Sequence, residues 1–168
     1  MNPRIALLAA SVACLGFTGA APAAETPVLK AGHWEVTRTS DQQPGQKHLT
    51  TMCLDDSVQA EMREFGMGIA KEMCSQSDRR TEGNRMTVTA TCKLGPSTMK
   101  TTSLMIFNGN TAYHTESSAT YDPPFMNMSQ SKSSIDGKWT GPCKPGQQPG
   151  DITTETGQTL NMKQMMKK

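Results

Sequence analysis

The stretch Ile106–Tyr113, which reads IFNGNTAY, carries the strongest signal for the fold in this sequence. Its Asn-Gly pair supplies the two positive φ angles of a type I′ turn, so the stretch predicts a tight β-hairpin. In that register Leu104 faces Tyr113 and Ile106 faces Thr111. Alternation then gives one face with Leu104, Ile106 and Tyr113 and another with Ser103, His114 and Glu116. This pattern predicts a sheet that is solvated on one side.

Further strands are predicted on both sides of this hairpin. Segments 34–39 and 86–92 alternate apolar or β-branched residues with polar ones, as half-buried strands do. Pro123-Pro124 is expected to break the strand after the hairpin. A further extended stretch from Met126 to Ser134 is expected to end at the turn residues Asp136-Gly137. The predicted fold is mainly β (α+β), an antiparallel curled meander sheet of about seven strands.

One amphipathic helix of about four turns is predicted after residue 55. Asp56 and Gln59 form a plausible capping pair at its start. Gly66 and Gly68 weaken the helix by up to about 1 kcal/mol each relative to Ala, so packing against the sheet has to stabilise it. The apolar residues at helical spacing are therefore expected in the core: Val58, Met62, Phe65 and Ile69.

Residues 1–23 have the form of a signal peptide. An apolar run, Ile5–Phe17, follows Arg4, and Ala21-Pro22-Ala23 has the small-x-small pattern that signal peptidase reads, so cleavage is expected after Ala23. The run is shorter than the roughly 20 residues that span a bilayer, and no transmembrane segment is expected in the mature chain. Cys14 raises the alternative of a lipoprotein, but the residues before it lack the large aliphatic side chain expected at such a site.

Four cysteines remain after the leader and predict two disulfides in an exported chain. Cys74 and Cys92 are equally distant from Gly83, which lies in a predicted turn, so a hairpin centred there would place them opposite each other. That pairing leaves Cys53 with Cys143. The four cysteines lack the paired spacing of a zinc site.

Composition limits the size and the partners of the protein. With 168 residues, 35% of them hydrophobic, and a net charge of +2, the chain fits one modest domain and offers no basic patch for nucleic acid. After Cys143 the sequence becomes rich in Pro, Gly and Gln and ends in Met and Lys. We therefore predict a β-rich domain over residues 24–143 and a flexible polar tail over 144–168.

Two motifs give the chain a resemblance to a known family. Gly32-His33-Trp34-Glu35 follows the leader, and Trp139-Thr140-Gly141-Pro142-Cys143 closes the domain after the three spaced cysteines. In this order the motifs resemble the exported bacterial proteins of domain of unknown function 3617. The resemblance covers roughly residues 30–143. It implies a β-rich domain in the periplasm of a Gram-negative bacterium, and it implies no activity, so it offers no catalytic residues.

An enzyme is not expected from these residues. His33, His48 and His114 are the histidines of the chain, and each has a structural or solvent-exposed interpretation. The mature chain contains no Gly-x-Ser-x-Gly elbow. A small hydrolase is therefore the third choice of function.

Methionine suggests the main alternative, a periplasmic copper(I)-binding protein. Thioether sulfur is a soft ligand that suits Cu(I), and two groups are candidates: Met126 with Met128, and Met162 with Met165 and Met166. Methionine also fills irregular core space, which is the simpler explanation here. The preferred interpretation therefore includes no cofactor.

We expect a non-catalytic exported domain that binds a small ligand or another envelope protein. A continuous apolar cavity would favour a ligand, whereas an exposed apolar patch would favour a protein partner. Trp34 and Trp139, with Gly32 and Gly141 in the same motifs, are expected to have structural roles, with the indoles beside the Cys53–Cys143 disulfide.

Overall fold

The computed structural model describes residues 27–166, and these form one open antiparallel sheet with two helices. The sheet has nine strands in the order β3-β4-β5-β6-β7-β1-β2-β8-β9. The predicted fold class is confirmed, with nine strands instead of about seven. The elements are β1 (Gly32–Ser40), β2 (His48–Leu54), α1 (Asp56–Met73), β3 (Cys74–Glu82), β4 (Arg85–Leu94), β5 (Ser97–Asn108), β6 (Ala112–Phe125), β7 (Met128–Gly141), β8 (Asp151–Thr154), β9 (Thr159–Asn161) and α2 (Met162–Met166).

The two faces of the sheet differ in chemistry, because alternate residues of each strand point to opposite sides. The apolar face carries the core, in which Trp34, Val36, Leu54 and Val58 pack together. Partly buried side chains surround this cluster, among them Met52, Tyr113, Ile135, Trp139 and Met162. The opposite side, here called the hydroxyl-rich face, carries Thr39, Thr89, Thr102, Ser118 and Ser134, which neighbour one another through the strand register.

Helix α1 begins over the apolar face. Asp55 is its N-cap, and its carboxylate accepts a hydrogen bond of 2.8 Å from the Val58 N–H. The predicted capping pair of Asp56 and Gln59 is therefore wrong. Gln59 is instead buried, and its side-chain amide bonds both the N–H and the C=O of Leu29. This contact ties the start of the described chain to the first turn of α1.

The hairpin at Gly109 exists, but its predicted register is wrong. Asn108 pairs with Ala112, Phe107 with Tyr113 and Ile106 with His114. The connection has three residues, and neighbouring segments bind two of them: Lys30 N–H donates to the Asn110 carbonyl and Trp139 N–H donates to the Thr111 carbonyl, each at 2.8 Å. Tyr113 consequently lies on the apolar face, while Leu104 and Ile106 share the opposite face with His114 and Glu116.

The two disulfides are Cys53–Cys143 and Cys74–Cys92, the pairs predicted from the sequence. Cys74 and Cys92 are register partners in the β3–β4 hairpin, with an irregularity in the pairing directly after Cys74. The Cys53–Cys143 bridge links the end of β2 to the segment that follows β7. It therefore joins residues 90 positions apart in the sequence.

Two predicted strand ends are wrong. β6 continues through Pro123-Pro124 to Phe125, and the register irregularity between Thr120 and Phe125 absorbs the proline pair. β7 continues through Asp136-Gly137 to Gly141. Gly137 is not a turn residue: a Cβ atom at this position would overlap the ring of Tyr113. The Tyr113 ring fits here only because residue 137 has no side chain.

The prediction of a flexible tail after Cys143 is also wrong for residues 144–166. β8 pairs with β2, and β9 pairs with β8. Met162 packs against the core, and Lys163 Nζ contacts Ser57 Oγ at 2.8 Å and Glu61 at 3.2 Å on α1. This segment has few aliphatic residues, but backbone pairing at the sheet edge and the packing of Met162 hold it in place.

The predicted signal peptide, its cleavage after Ala23, and Cys14 lie outside the described residues. Within residues 27–166, neither helix is long and apolar enough to cross a membrane.

Candidate functional site

The tryptophan and glycine motifs build a structural joint. Trp34 and Trp139 are cross-strand partners, and their indole N–H groups donate to the carbonyls of Lys30 and Ala31 at 2.9 and 3.0 Å. Lys30 Nζ lies 3.6 Å from the centre of the Trp139 ring, a cation–π contact. Gly32 has a φ of +137°, and a Cβ there would overlap the Gly141 carbonyl. These residues hold the N-terminal segment against β7.

His33 is buried beside this joint. Its Nδ1 lies 2.7 Å from Thr140 Oγ1, while Nε2 has no hydrogen-bond partner among the described residues. Burial is the largest cause that lowers the pKa of His33, and the positive charge of Lys144 lowers it further. His33 is a register partner of Cys53, so the Cys53–Cys143 bridge lies on the His33 side of β1. Trp34 points to the other side, where it packs with Tyr113, with ring centres 5.8 Å apart.

The other two histidines lie at the surface. His48 Nε2 is 2.6 Å from Gln43 Oε1, and its Nδ1 is 3.6 Å from Glu155. His114 Nδ1 is 2.7 Å from Asp136 Oδ1, and its Nε2 is 3.6 Å from Glu116 Oε1. The hydrogen bond to Asp136 is the main cause that raises the pKa of His114. The structure does not bring the three histidines together.

The hydroxyl-rich face carries two neighbouring cavities. The first, of about 660 Å³, lies over β5, β6, β7 and the end of β1, and its charged lining residues are Asp41, Glu116 and Lys132. The second, of about 630 Å³, lies over β3, β4 and β5, and its charged lining residues are Asp78 and Lys100. Thr102 lines both cavities, so they adjoin. Both are shallow and open to solvent, and their volumes are in the range of small-ligand sites.

Four apolar side chains on α1 form a second candidate surface, the α1 ridge: Met62, Phe65, Ile69 and Met73. They continue the helical stripe that starts at Val58, because they follow it at helical spacing. Val58 is fully buried, yet the four ridge residues are between 39% and 46% exposed. The prediction that Met62, Phe65 and Ile69 are core residues is wrong, because only the first turn of α1 reaches the core cluster.

The candidate copper ligands lie in two separate places. Met126, which is exposed, and Met128 lie at the turn between β6 and β7. Met162, in α2, packs on the core beside Trp139. Met128 and Trp139 are 11 residues apart on β7, which corresponds to about 36 Å. Met165 is exposed and Met166 is half-buried. No group of three or more His, Cys, Asp or Glu in residues 27–166 could hold a metal ion.

The sequence alone does not identify Lys132, Lys100, Ser118 and Thr102 as neighbours. The signal that could have found them is alternation: each is an outward-facing polar residue of a long strand. Recognising that these residues are neighbours requires the register of β5, β6 and β7. The register predicted for the β5–β6 hairpin is wrong.

Residues 29–143 match the family model described as "Protein of unknown function (DUF3617)". The match includes both tryptophan motifs and all four disulfide-bonded cysteines. A search of curated proteins gives no match.

Proposed function

Because this chain belongs to DUF3617, a family of proteins of unknown function, we propose its function from its surface: it is an exported, periplasmic binding domain that holds a protein partner on the α1 ridge. The exposure of this ridge carries the proposal. Four large apolar side chains on one stripe of a surface helix are typical of an interaction site. The leader-like sequence at residues 1–23 and the two disulfides support export to an oxidising compartment.

The charges of α1 favour a basic partner. The helix carries four acidic residues and two basic ones, a net charge of −2. Glu61 and Glu72 lie on the Phe65 side of the ridge, four residues before and seven residues after it. Glu61 is paired with Lys163, whereas no ion pair in residues 27–166 involves Glu72. A partner with Lys or Arg beside its apolar surface would complement this edge.

The glycines of α1 favour a helix as the partner's contacting element. Gly66 and Ala70 lie along the other edge of the ridge, one helical turn apart. A Cβ at Gly66 would meet no atom within 4 Å. Glycine inside a helix costs up to about 1 kcal/mol relative to Ala, and the space it leaves allows close approach of another backbone. The proposed occupant is therefore an amphipathic helix with basic residues beside its apolar face.

Two synthetic amphipathic helical peptides with the same apolar face test this proposal. We expect the peptide with Lys beside that face to bind the folded domain and the peptide with Glu there not to bind, as measured by fluorescence anisotropy. Phe65→Ser and Ile69→Ser should each weaken binding about tenfold, because each removes a central apolar contact. Met67→Ser is the matched control, since Met67 is exposed on the opposite side of α1.

Binding to phosphatidylglycerol vesicles tests whether the α1 ridge binds a membrane surface instead of a protein. The acidic charge of α1 should prevent binding to these anionic vesicles. The proposal would be overturned by equal affinity for the two peptides, by equal effects of Phe65→Ser and Met67→Ser, or by vesicle binding that Phe65→Ser abolishes.

A further inference from the structure

We propose that the two adjoining cavities of the hydroxyl-rich face form one groove that binds a short acidic saccharide, with Lys132 and Lys100 as the carboxylate-binding residues. This site shares no residue with the α1 ridge. The saccharide proposal and the protein-partner proposal can therefore be tested independently of each other.

The floor of the groove is a row of polar side chains across neighbouring strands. Thr89, Thr102, Ser118 and Lys132 are successive register partners on β4, β5, β6 and β7. Adjacent strands are about 4.8 Å apart, so the row presents hydroxyl and ammonium groups over about 14 Å. Hydroxyl groups both donate and accept hydrogen bonds, which suits the alternating donors and acceptors of a sugar.

The charges in the groove are compensated unequally. Glu116 lies beside His114, and Asp78 accepts a hydrogen bond of 3.0 Å from Arg80 Nε. Asp41 accepts from Gln42 Nε2 at 3.1 Å; the Lys132 backbone N–H is the main cause that lowers the pKa of Asp41, and the Lys132 ammonium lowers it further. In contrast, the ammonium groups of Lys132 and Lys100 form no hydrogen bond or ion pair with the part of the chain that the structure describes. Both ammonium groups can therefore donate hydrogen bonds to an oxyanion, with Asp41 as the acidic neighbour of Lys132.

The spacing of the two lysines favours more than one sugar unit. Lys132 and Lys100 are two strands apart and two residues apart along the strand direction, which corresponds to about 12 Å between backbone positions. Lysine side chains can close part of this distance. The carboxylates of adjacent or alternate acidic sugars are within reach of such a pair, and the carboxylates of Glu116 and Asp78 can accept hydrogen bonds from sugar hydroxyls.

Calorimetric titration with trigalacturonate, with neutral maltotriose as the comparison, tests the site. We expect trigalacturonate to bind with a Kd of about 1 mM or lower and maltotriose to bind at least about tenfold more weakly. Lys132→Gln and Lys100→Gln should each weaken trigalacturonate binding about tenfold, because each removes a charge-assisted hydrogen bond. Lys132 and Lys100 are both solvent-exposed on strands, so neither substitution should disturb the fold. Circular dichroism should therefore show unchanged folding of both variants.

Lys138→Gln is the matched control. Lys138 lies on β7, points to the same face as Lys132 and is exposed, but it lines neither cavity. The proposal is overturned if trigalacturonate does not bind at about 10 mM, if maltotriose binds equally well, or if Lys138→Gln weakens binding as much as Lys132→Gln. Inorganic phosphate that competes as well as trigalacturonate would also overturn it, since a saccharide would then not be required.

Discussion

At Gly137, a missing side chain positions an aromatic ring. The Tyr113 ring occupies the space where a Cβ would lie, and the same ring packs on Trp34 in the core. We expect Gly137→Ala to lower the free energy of unfolding by about 1–3 kcal/mol, because the ring has to move. Urea denaturation measures this change. In a Tyr113→Leu background the same substitution should cost much less, and an equal cost in both backgrounds would show that the ring is not the cause.

His114 makes stability depend on pH. Its pKa is raised above 6.5, first by the hydrogen bond to Asp136, so the folded state favours the protonated ring. The resulting contribution to stability is complete below pH 6.5 and is lost as the pH rises through the folded-state pKa. NMR titration should place the midpoint of His114 above 6.5, and Asp136→Asn should lower it. His33 should show the opposite behaviour, with a midpoint below 6.5, because burial is the main cause that lowers its pKa. A His114 midpoint at or below that of His33 would contradict the geometry.

At the scale of elements, α1 combines a buried first turn with an exposed remainder. Val58→Ala should lower the free energy of unfolding by about 2 kcal/mol, since Val58 is fully buried. Phe65→Ala should cost less than about 1 kcal/mol, although a Phe buried in a core would cost about 3–5. Chemical denaturation of the two variants decides the point. A larger loss for Phe65→Ala would mean that the ridge is packed and not available to a partner.

The same helix shows what the sequence could predict and what it could not. The apolar spacing from Val58 to Ile69 specifies an amphipathic helix correctly, but the pattern is identical for a buried stripe and for one presented to a partner. The Gly109 hairpin is similar. Local turn chemistry predicts that it forms, but its three-residue connection is also bound by Lys30 and Trp139, which are distant in sequence and which a local pattern does not include. The groove depends on that register, so its lining residues could not be assembled from local patterns.

At the scale of the molecule, a thin core lies on a wide sheet, and two disulfides cross-link the chain at separate places. The core cluster has four buried residues, all near β1, β2 and the start of α1. Cys74–Cys92 closes the far edge, where α1 meets β3. Cys53–Cys143 joins the end of β2 to the segment that follows β7. The spacing of the cysteines predicted these pairs correctly because one symmetric hairpin leaves a single partner for each remaining cysteine.

The two disulfides should differ in their contribution to stability. They span 90 and 18 residues, and unfolded-chain entropy predicts a loss of about 4–5 kcal/mol for Cys53→Ser/Cys143→Ser and about 3 kcal/mol for Cys74→Ser/Cys92→Ser. The first pair should have a second effect. Gly150 N–H donates to the Cys53 carbonyl and Met162 N–H donates to the Gly150 carbonyl, each at 2.8 Å, so the segment after β7 depends on the anchored end of β2. Hydrogen exchange should show these two amides protected in the native protein and strongly deprotected in Cys53→Ser/Cys143→Ser, but little changed in Cys74→Ser/Cys92→Ser. Rapid exchange of both amides in the native protein would mean that residues 144–166 are a mobile tail after all, and that the sheet ends at β2.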